Sequence, residues 1–185
     1  MRAIVGIGGG ELGRWETRQI DEYIVWLSGK EHPRALFIPT ATHDEESYIR
    51  AFEDMYGSLG CDTAALRLWS WEGSAEDVRN FILEADIVYV GGGCMEAMLE
   101  CWDRYDVGSA LWEAWERGII CCGLSAGCIC WTDHSYCDFD DGSGFFSCDC
   151  LGMLPIIIGP HYNQPEWQGF DEFMKGQQLC QEKHR

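Results

Sequence analysis

The residues with the clearest chemical potential lie in Gly-Leu-Ser-Ala-Gly at 123–127, a Gly-x-Ser-x-Gly pattern that follows a short apolar run. In this pattern Ser125 can stand as a nucleophile on a strained turn between a strand and a helix, where flanking glycines relieve crowding. The N–H of the next residue, Ala126, would then point to where an oxyanion forms. The pattern also occurs in ordinary strand-to-helix turns. A chemical role for Ser125 therefore requires a base nearby.

A histidine is the expected base, and the chain has five. His184 lies beside the chain end, His32 lies in a Lys-Glu-His-Pro loop, and His134 lies on the segment that leaves the serine turn. His161 follows the apolar run GMLPIIIGP, which we interpret as a further strand. His161 would then stand at a strand end, on the same sheet edge as the serine, and it is the predicted base.

A second glycine-rich turn, Gly91-Gly92-Gly93-Cys94, follows the apolar strand predicted at 86–90. Bare backbone in such a turn can approach a substrate and offer N–H donors to an oxyanion. The alternative is a tight turn that needs glycine only for positive φ. Neither a phosphate loop nor a dinucleotide fingerprint fits the surrounding residues. We therefore expect this loop to face a ligand.

The elements that position these residues are strands alternating with amphipathic helices, which predicts an α/β fold with a parallel sheet and helices on both faces. In such sheets the working loops follow the carboxyl ends of the strands. Four loops of this kind are predicted to meet at one edge, at 8–10, 40–44, 91–94 and 123–127. The length and the absence of a linker predict a single domain over residues 1–185.

Composition limits the classes of function. The formal charge of −18, from 31 acidic and 13 basic residues, disfavours nucleic acid and membrane surfaces as partners. The start of the sequence lacks the shape of a signal peptide, so a cytoplasmic location is expected. The eleven cysteines include no paired C-x-x-C pattern and are expected to be reduced thiols rather than metal ligands.

The chain resembles the peptidase E (aspartyl dipeptidase) and cyanophycinase family over about residues 2–175. Five segments carry the resemblance in order and spacing: RAIVGIGGGE, ALFIPTAT, IVYVGGGCMEAMLE, CCGLSAGCICW and LGMLPIIIGPHYNQPEWQGFDEF. It implies a class I glutamine-amidotransferase-like fold, a three-layer α/β sandwich with a serine in place of the amidotransferase cysteine. It further implies that Ser125 is the nucleophile and His161 its base. The implied oxyanion and substrate-binding residues are Gly92, Gly93, Cys94 and Ala126.

The sequence departs from the family pattern at three points. Cys94-Met95 replaces the usual Asn-Thr, and the region just after His161, NQPEWQGFDEF, has no arginine to hold a substrate carboxylate. The family's triad acid lies in a later strand, so the 1–185 domain is expected to lack the family's C-terminal segment. Asp140, in the acidic stretch 136–143, is the first choice for an acid within this chain, against the alternative of an acidic surface loop. A lost edge strand would also favour a homodimer.

The leading hypothesis is a serine-type peptidase that hydrolyses small peptides in the manner of a dipeptidase, with Asp-X among its candidate substrates and no metal or cofactor. One alternative is a catalytically impaired family member that binds a small ligand or a protein. An α/β-hydrolase esterase shares the Ser-Asp-His order, but only 60 residues follow Ser125. A redox-sensitive protein, with Cys94 near the site, is the remaining alternative.

Overall fold

A five-stranded parallel sheet forms the centre of the computed structural model, which describes residues 2–139 and 142–183 and side chains as far as residue 176. The strands lie side by side in the order β1-β5-β4-β2-β3. Their bounds are β1 Ile4–Ile7, β2 Arg34–Ile38, β3 Asp62–Ala65, β4 Ile87–Val90 and β5 Ile120–Leu124. Strands β4 and β5 are wholly buried, as expected for a parallel sheet covered on both faces.

Helices cover both faces of this sheet. One face carries α1 Arg18–Leu27 and α2 Glu46–Ser58, and the other carries α3 Ala75–Leu83, α4 Met95–Asp103, α5 Val107–Glu116 and the short α6 Ala126–Ile129. A hairpin of β6 His134–Asp138 and β7 Phe145–Asp149 follows α6, and α7 Phe170–Lys183 comes last. Three short 3₁₀ helices lie at Leu12–Arg14, Thr40–Thr42 and Pro165–Gly169.

The alternation of side chains along each strand divides the core in two. In β2, Leu36 and Ile38 pack toward α3–α6, whereas Phe37 packs with α1 and α2. In β4, Val88 likewise packs toward α3–α6 and Tyr89 packs with α1 and α2, because successive strand residues point to opposite faces. The predicted α/β sandwich of three layers is therefore confirmed.

Two helix boundaries carry the residues that commonly mark a helix end. Ser74 caps α3 with a reciprocal capping box, in which its hydroxyl accepts from the Asp77 N–H and the Asp77 carboxylate accepts from the Ser74 N–H. Gly29 follows α1 with φ of 65°, the left-handed conformation that commonly ends a helix. In the described residues, no helix is long and apolar enough to cross a membrane.

The strand predicted before His161 is wrong. Residues 152–160 form no strand, and their only ladder contact in the described structure is an isolated bridge between Thr132 and Leu154. Pro155 and Pro160 have no N–H to donate, so the run cannot make regular sheet pairing despite its apolar side chains. His161 therefore stands at the end of an extended segment rather than at the end of a strand.

Candidate active site

The loops after β2, β4 and β5 meet at the carboxyl edge of the sheet, as the sequence predicts, and there they line one side of a cleft of about 710 Å³. They contribute residues 41–43, Gly93, Cys94 and Ser125. The opposite side comes from the β6–β7 hairpin and from the segment that begins at His161. The loop after β1 lies behind this segment, in a second cavity that shares His161 with the cleft.

Ser125 sits on a sharp elbow between β5 and α6, with φ of 54° and ψ of −113°. This conformation is costly for a residue with a side chain and persists only where its surroundings enforce it. A Cβ added to Gly123 would lie 2.3 Å from the Gly127 carbonyl oxygen, and one added to Gly127 would lie 2.0 Å from the Val90 carbonyl oxygen. Both glycines are therefore required for the elbow to pack against β4.

The structure places His161 next to Ser125. Its Nε2 lies 2.8 Å from the Ser125 Oγ, a hydrogen-bond distance. The His161 backbone N–H donates to the Gly8 carbonyl at 2.8 Å and fixes the residue beside the end of β1. A Cβ on Gly9 would lie 2.8 Å from the imidazole Nδ1, so a glycine at this position makes room for the ring. The base and the nucleophile chosen from the sequence thus share one hydrogen bond.

No carboxylate in the described part of the chain accepts a hydrogen bond from the Nδ1 of His161. Asp138, on β6, lines the cleft, but it makes no hydrogen bond or ion pair with the imidazole. Asp140, the acid selected from the sequence, lies outside the described residues. The described structure therefore contains a serine–histidine pair, and Asp140 remains a prediction.

Of the four predicted oxyanion and substrate-binding residues, two use their backbone N–H in hydrogen bonds within the protein and two do not. The Gly92 N–H donates to the Tyr48 hydroxyl at 3.2 Å, and the Cys94 N–H donates to the Ala41 carbonyl at 2.8 Å. Burial raises the pKa of Tyr48, so its hydroxyl stays protonated at neutral pH. The N–H groups of Gly93 and Ala126 have no acceptor in the described structure. These two amides are the ones available to a ligand.

Several residues of the cleft had no signal in the sequence. Apolar side chains come from Phe139, Phe145 and Trp167, and polar ones from Glu45, Gln164 and Glu166. Phe145 and Trp167 pack edge to face with ring centroids 4.9 Å apart. Their role depends on a contact between β7 and a 3₁₀ helix that no local pattern predicts. Tyr48, which holds the Gly92 N–H, belongs to α2 and likewise carries no local signal of this role.

A metal centre finds no support in the described residues, where no group of three or more His, Cys, Asp or Glu side chains could hold an ion. The thiols expected to be reduced are free in the structure at ten described positions.

The fold and the site define an α/β sandwich of the kind that presents a serine on a strand-to-helix elbow at the carboxyl edge of a parallel sheet. Comparison with protein-family models agrees with this class: the model of peptidase family S51 matches residues 4–182. The chain belongs to peptidase family S51, and it is a peptidase. The resemblance to peptidase E noted in the sequence is thereby confirmed.

Individual relatives agree with the family. The chain is 34% identical over 164 residues to the uncharacterized peptidase YgaJ of Bacillus subtilis, covering 88% of this chain and 70% of that protein. It is 28% identical over 137 residues to peptidase E of Streptomyces coelicolor, covering 72% of this chain and 53% of that protein. The chain is thus shorter than each of these two relatives.

Solved structures show the same fold at low sequence identity. A candidate peptidase E protein from Listeria monocytogenes EGD-e superposes with a TM-score of 0.67 at 16% identity, over 94% of this chain and 85% of that chain. A peptidase from an acI-B1 actinobacterium superposes with a TM-score of 0.61 at 19% identity, over 83% of this chain and 65% of that chain.

Proposed function

We propose that this peptidase is of the serine type and hydrolyses small peptides in the manner of a dipeptidase, with Ser125 as nucleophile and His161 as base. The observation that carries the proposal is the 2.8 Å hydrogen bond between Ser125 Oγ and His161 Nε2, made inside the cleft. A serine hydroxyl is a weak nucleophile unless an adjacent base takes its proton, and this geometry supplies that base.

In the proposed reaction the Ser125 Oγ attacks the scissile carbonyl carbon while its proton passes to the His161 Nε2. The imidazolium then gives this proton to the leaving amine, and an acyl-enzyme forms. Water, activated by the same imidazole, hydrolyses the ester and regenerates Ser125. For Nε2 to accept the first proton, the neutral ring must carry its own proton on Nδ1, the nitrogen that faces Gly9.

The tetrahedral intermediate carries a negative oxygen, and in the proposed mechanism two backbone amides stabilise it. Gly93 and Ala126 belong to the two turns that flank Ser125, and their N–H groups are the unpaired ones. The Gly92 N–H, by contrast, already donates to the Tyr48 hydroxyl, and this hydrogen bond holds the glycine turn in place. Removing one donor from an oxyanion site typically lowers kcat by about 10²–10³-fold.

The charge of the cleft bears on the substrate. Glu45, Asp138 and Glu166 line it, and no lysine or arginine does so among the described residues. Such a wall favours a substrate ammonium group and repels a substrate carboxylate. Among small peptides we therefore propose that those with a neutral or basic first residue are preferred over Asp-X.

This preference gives a measurable prediction. At low ionic strength, kcat/KM for Lys-X and neutral dipeptide amides is expected to exceed that for Asp-X by about tenfold, and added salt should reduce the difference. The replacements Glu45→Gln and Glu166→Gln should also reduce this difference in kcat/KM, because each removes one negative charge from the cleft and leaves the side chain about the same size. Faster hydrolysis of Asp-X than of the neutral amides would contradict this assignment.

Covalent labelling tests the serine mechanism independently of substrate choice. A fluorophosphonate should label the chain at one site, with Ser125 as the modified residue, and His161→Ala should slow labelling by at least about 10²-fold. The Ser125→Ala variant is the negative control and should not be labelled. Labelling that is slow and unchanged by His161→Ala would instead favour an impaired member that binds a ligand without turning it over.

A further inference from the structure

Three cysteines bring their sulfurs together, Cys137 and Cys148 on the β6–β7 hairpin and Cys150 just after it. Cys137 Sγ lies 2.8 Å from Cys148 Sγ, which in turn lies 3.9 Å from Cys150 Sγ. Cys137 pairs with Phe146 in the antiparallel register, so Cys148 is its diagonal neighbour two residues along the facing strand. All three thiols are free in the structure. The peptidase mechanism uses none of them.

The three thiols differ in accessibility. Cys137 is buried, at 2% exposure, whereas Cys148 and Cys150 are half-buried. Cys148 is therefore the more accessible partner of the close pair, and Cys137 is the buried one. An S–S bond is about 2.05 Å long, so Cys137 and Cys148 need to approach by less than about 1 Å to form one.

The contacts of Cys148 Sγ with the sulfurs of Cys137 and Cys150 also set it apart, because these hydrogen bonds lower the pKa of the Cys148 thiol. The cysteines of the core show the opposite behaviour, because burial raises the pKa of Cys121 to about 12 and that of Cys128 to about 11. Thiolate is the reactive form of cysteine, so reactivity should concentrate at the hairpin.

We propose that Cys148 is an oxidation site, and that a hydroperoxide converts it and Cys137 into a disulfide that ties β6 to β7. This is a modification site separate from the serine–histidine pair. The hairpin also forms one wall of the cleft through Asp138 and Phe145. The disulfide would therefore fix the strands that carry this wall.

The reaction balances with hydrogen peroxide as oxidant. The Cys148 thiolate attacks one peroxide oxygen, the O–O bond breaks, and hydroxide leaves, giving a sulfenic acid. The Cys137 sulfur then attacks the Cys148 sulfur and loses its proton, and the sulfenic oxygen departs as water. In total two thiols and one peroxide give one disulfide and two waters, with two electrons passing from sulfur to oxygen.

The sequence allows the linkage to be mapped cleanly. Cleavage before aspartate places the three thiols on separate peptides: residues 133–137 carry Cys137, 141–148 carry Cys148, and 149–170 carry Cys150. After brief treatment of the purified chain with a small excess of hydrogen peroxide and alkylation of remaining thiols, we expect 133–137 joined to 141–148. Dithiothreitol should release the two peptides. This readout is independent of peptidase activity.

Variants sharpen the test. Cys148→Ala should prevent the linkage, and Cys137→Ala should leave Cys148 to form the sulfenic acid instead. The matched control is Cys61→Ala, since Cys61 is also half-buried but burial raises its pKa to about 11. In the unmodified chain iodoacetamide should alkylate Cys148 at least about tenfold faster than Cys61.

Three results would overturn the proposal, and each can be seen in the chain without substitutions. One is a link between 141–148 and 149–170, which would make Cys150 the partner. Another is oxidation of Cys61 or Cys94 as fast as Cys148. The third is overoxidation of Cys148 while Cys137 remains a free thiol.

Discussion

Replacing Ser125 with alanine is expected to lower kcat/KM for small peptides by about 10⁴-fold or more, as removal of a serine nucleophile does when the rest of the site remains intact. The change deletes only the Oγ that lies 2.8 Å from His161 Nε2. The alanine must adopt the strained φ of the elbow, as the serine already does, so the fold should persist. The rate of dipeptide-amide hydrolysis measures the loss of activity, and circular dichroism shows whether the fold persists.

The matched control is Ser109→Ala. Ser109 is exposed, belongs to α5, and donates its hydroxyl to Asp106 away from the cleft. Its removal should leave kcat/KM within about twofold and should change the free energy of unfolding by only about 0.5 kcal/mol. If Ser125→Ala retained activity similar to this control, another nucleophile would have to be sought.

Replacing Gly127 with alanine is expected to lower the free energy of unfolding by at least about 3 kcal/mol. The new Cβ would lie 2.0 Å from the Val90 carbonyl oxygen, and backbone atoms on both sides of the contact leave nothing flexible to yield. Relief requires α6 to move away from β4, which shifts Ser125 as well. Urea denaturation should show a lower midpoint, and activity should fall together with stability.

Replacing Gly57 with alanine should instead raise the free energy of unfolding. Gly57 lies in α2 with no atom within 4 Å of an added Cβ. Alanine there should stabilise the chain by about 0.5–1 kcal/mol, because it restricts the unfolded chain and favours helix. A comparable loss of stability from both substitutions would show that close packing at the elbow is not the cause.

The site could be predicted where a local sequence pattern marks it. The glycines around Ser125 are visible in the sequence because they belong to the Gly-x-Ser-x-Gly pattern, although Gly127 also relieves crowding against the distant Val90 of β4. The edge at which the loops meet follows from strand–helix alternation. These features depend on local pattern and on a general rule for parallel sheets, and the structure shows both.

The rest depends on contacts between distant segments. The apolar run before His161 looks like a strand, yet its two prolines prevent regular pairing, and its one ladder contact in the described structure is the bridge at Leu154. A single backbone bond to Gly8 still places the histidine. The β6–β7 hairpin was not foreseen either. Its outer face is held by stacking of Tyr136 on Phe145 and by their packing against Trp167. No local propensity encodes such a contact.

The cleft consequently has one constrained side and one adjustable side. The serine is fixed by backbone packed so tightly that a single added carbon is excluded at Gly123 and Gly127. The facing wall consists of hairpin and loop side chains, many of them exposed, around a histidine that the backbone holds from behind. A substitution on that wall can alter the shape and charge offered to a substrate without disturbing the elbow. Substrate preference can therefore diverge on this scaffold while the serine and its turn stay unchanged.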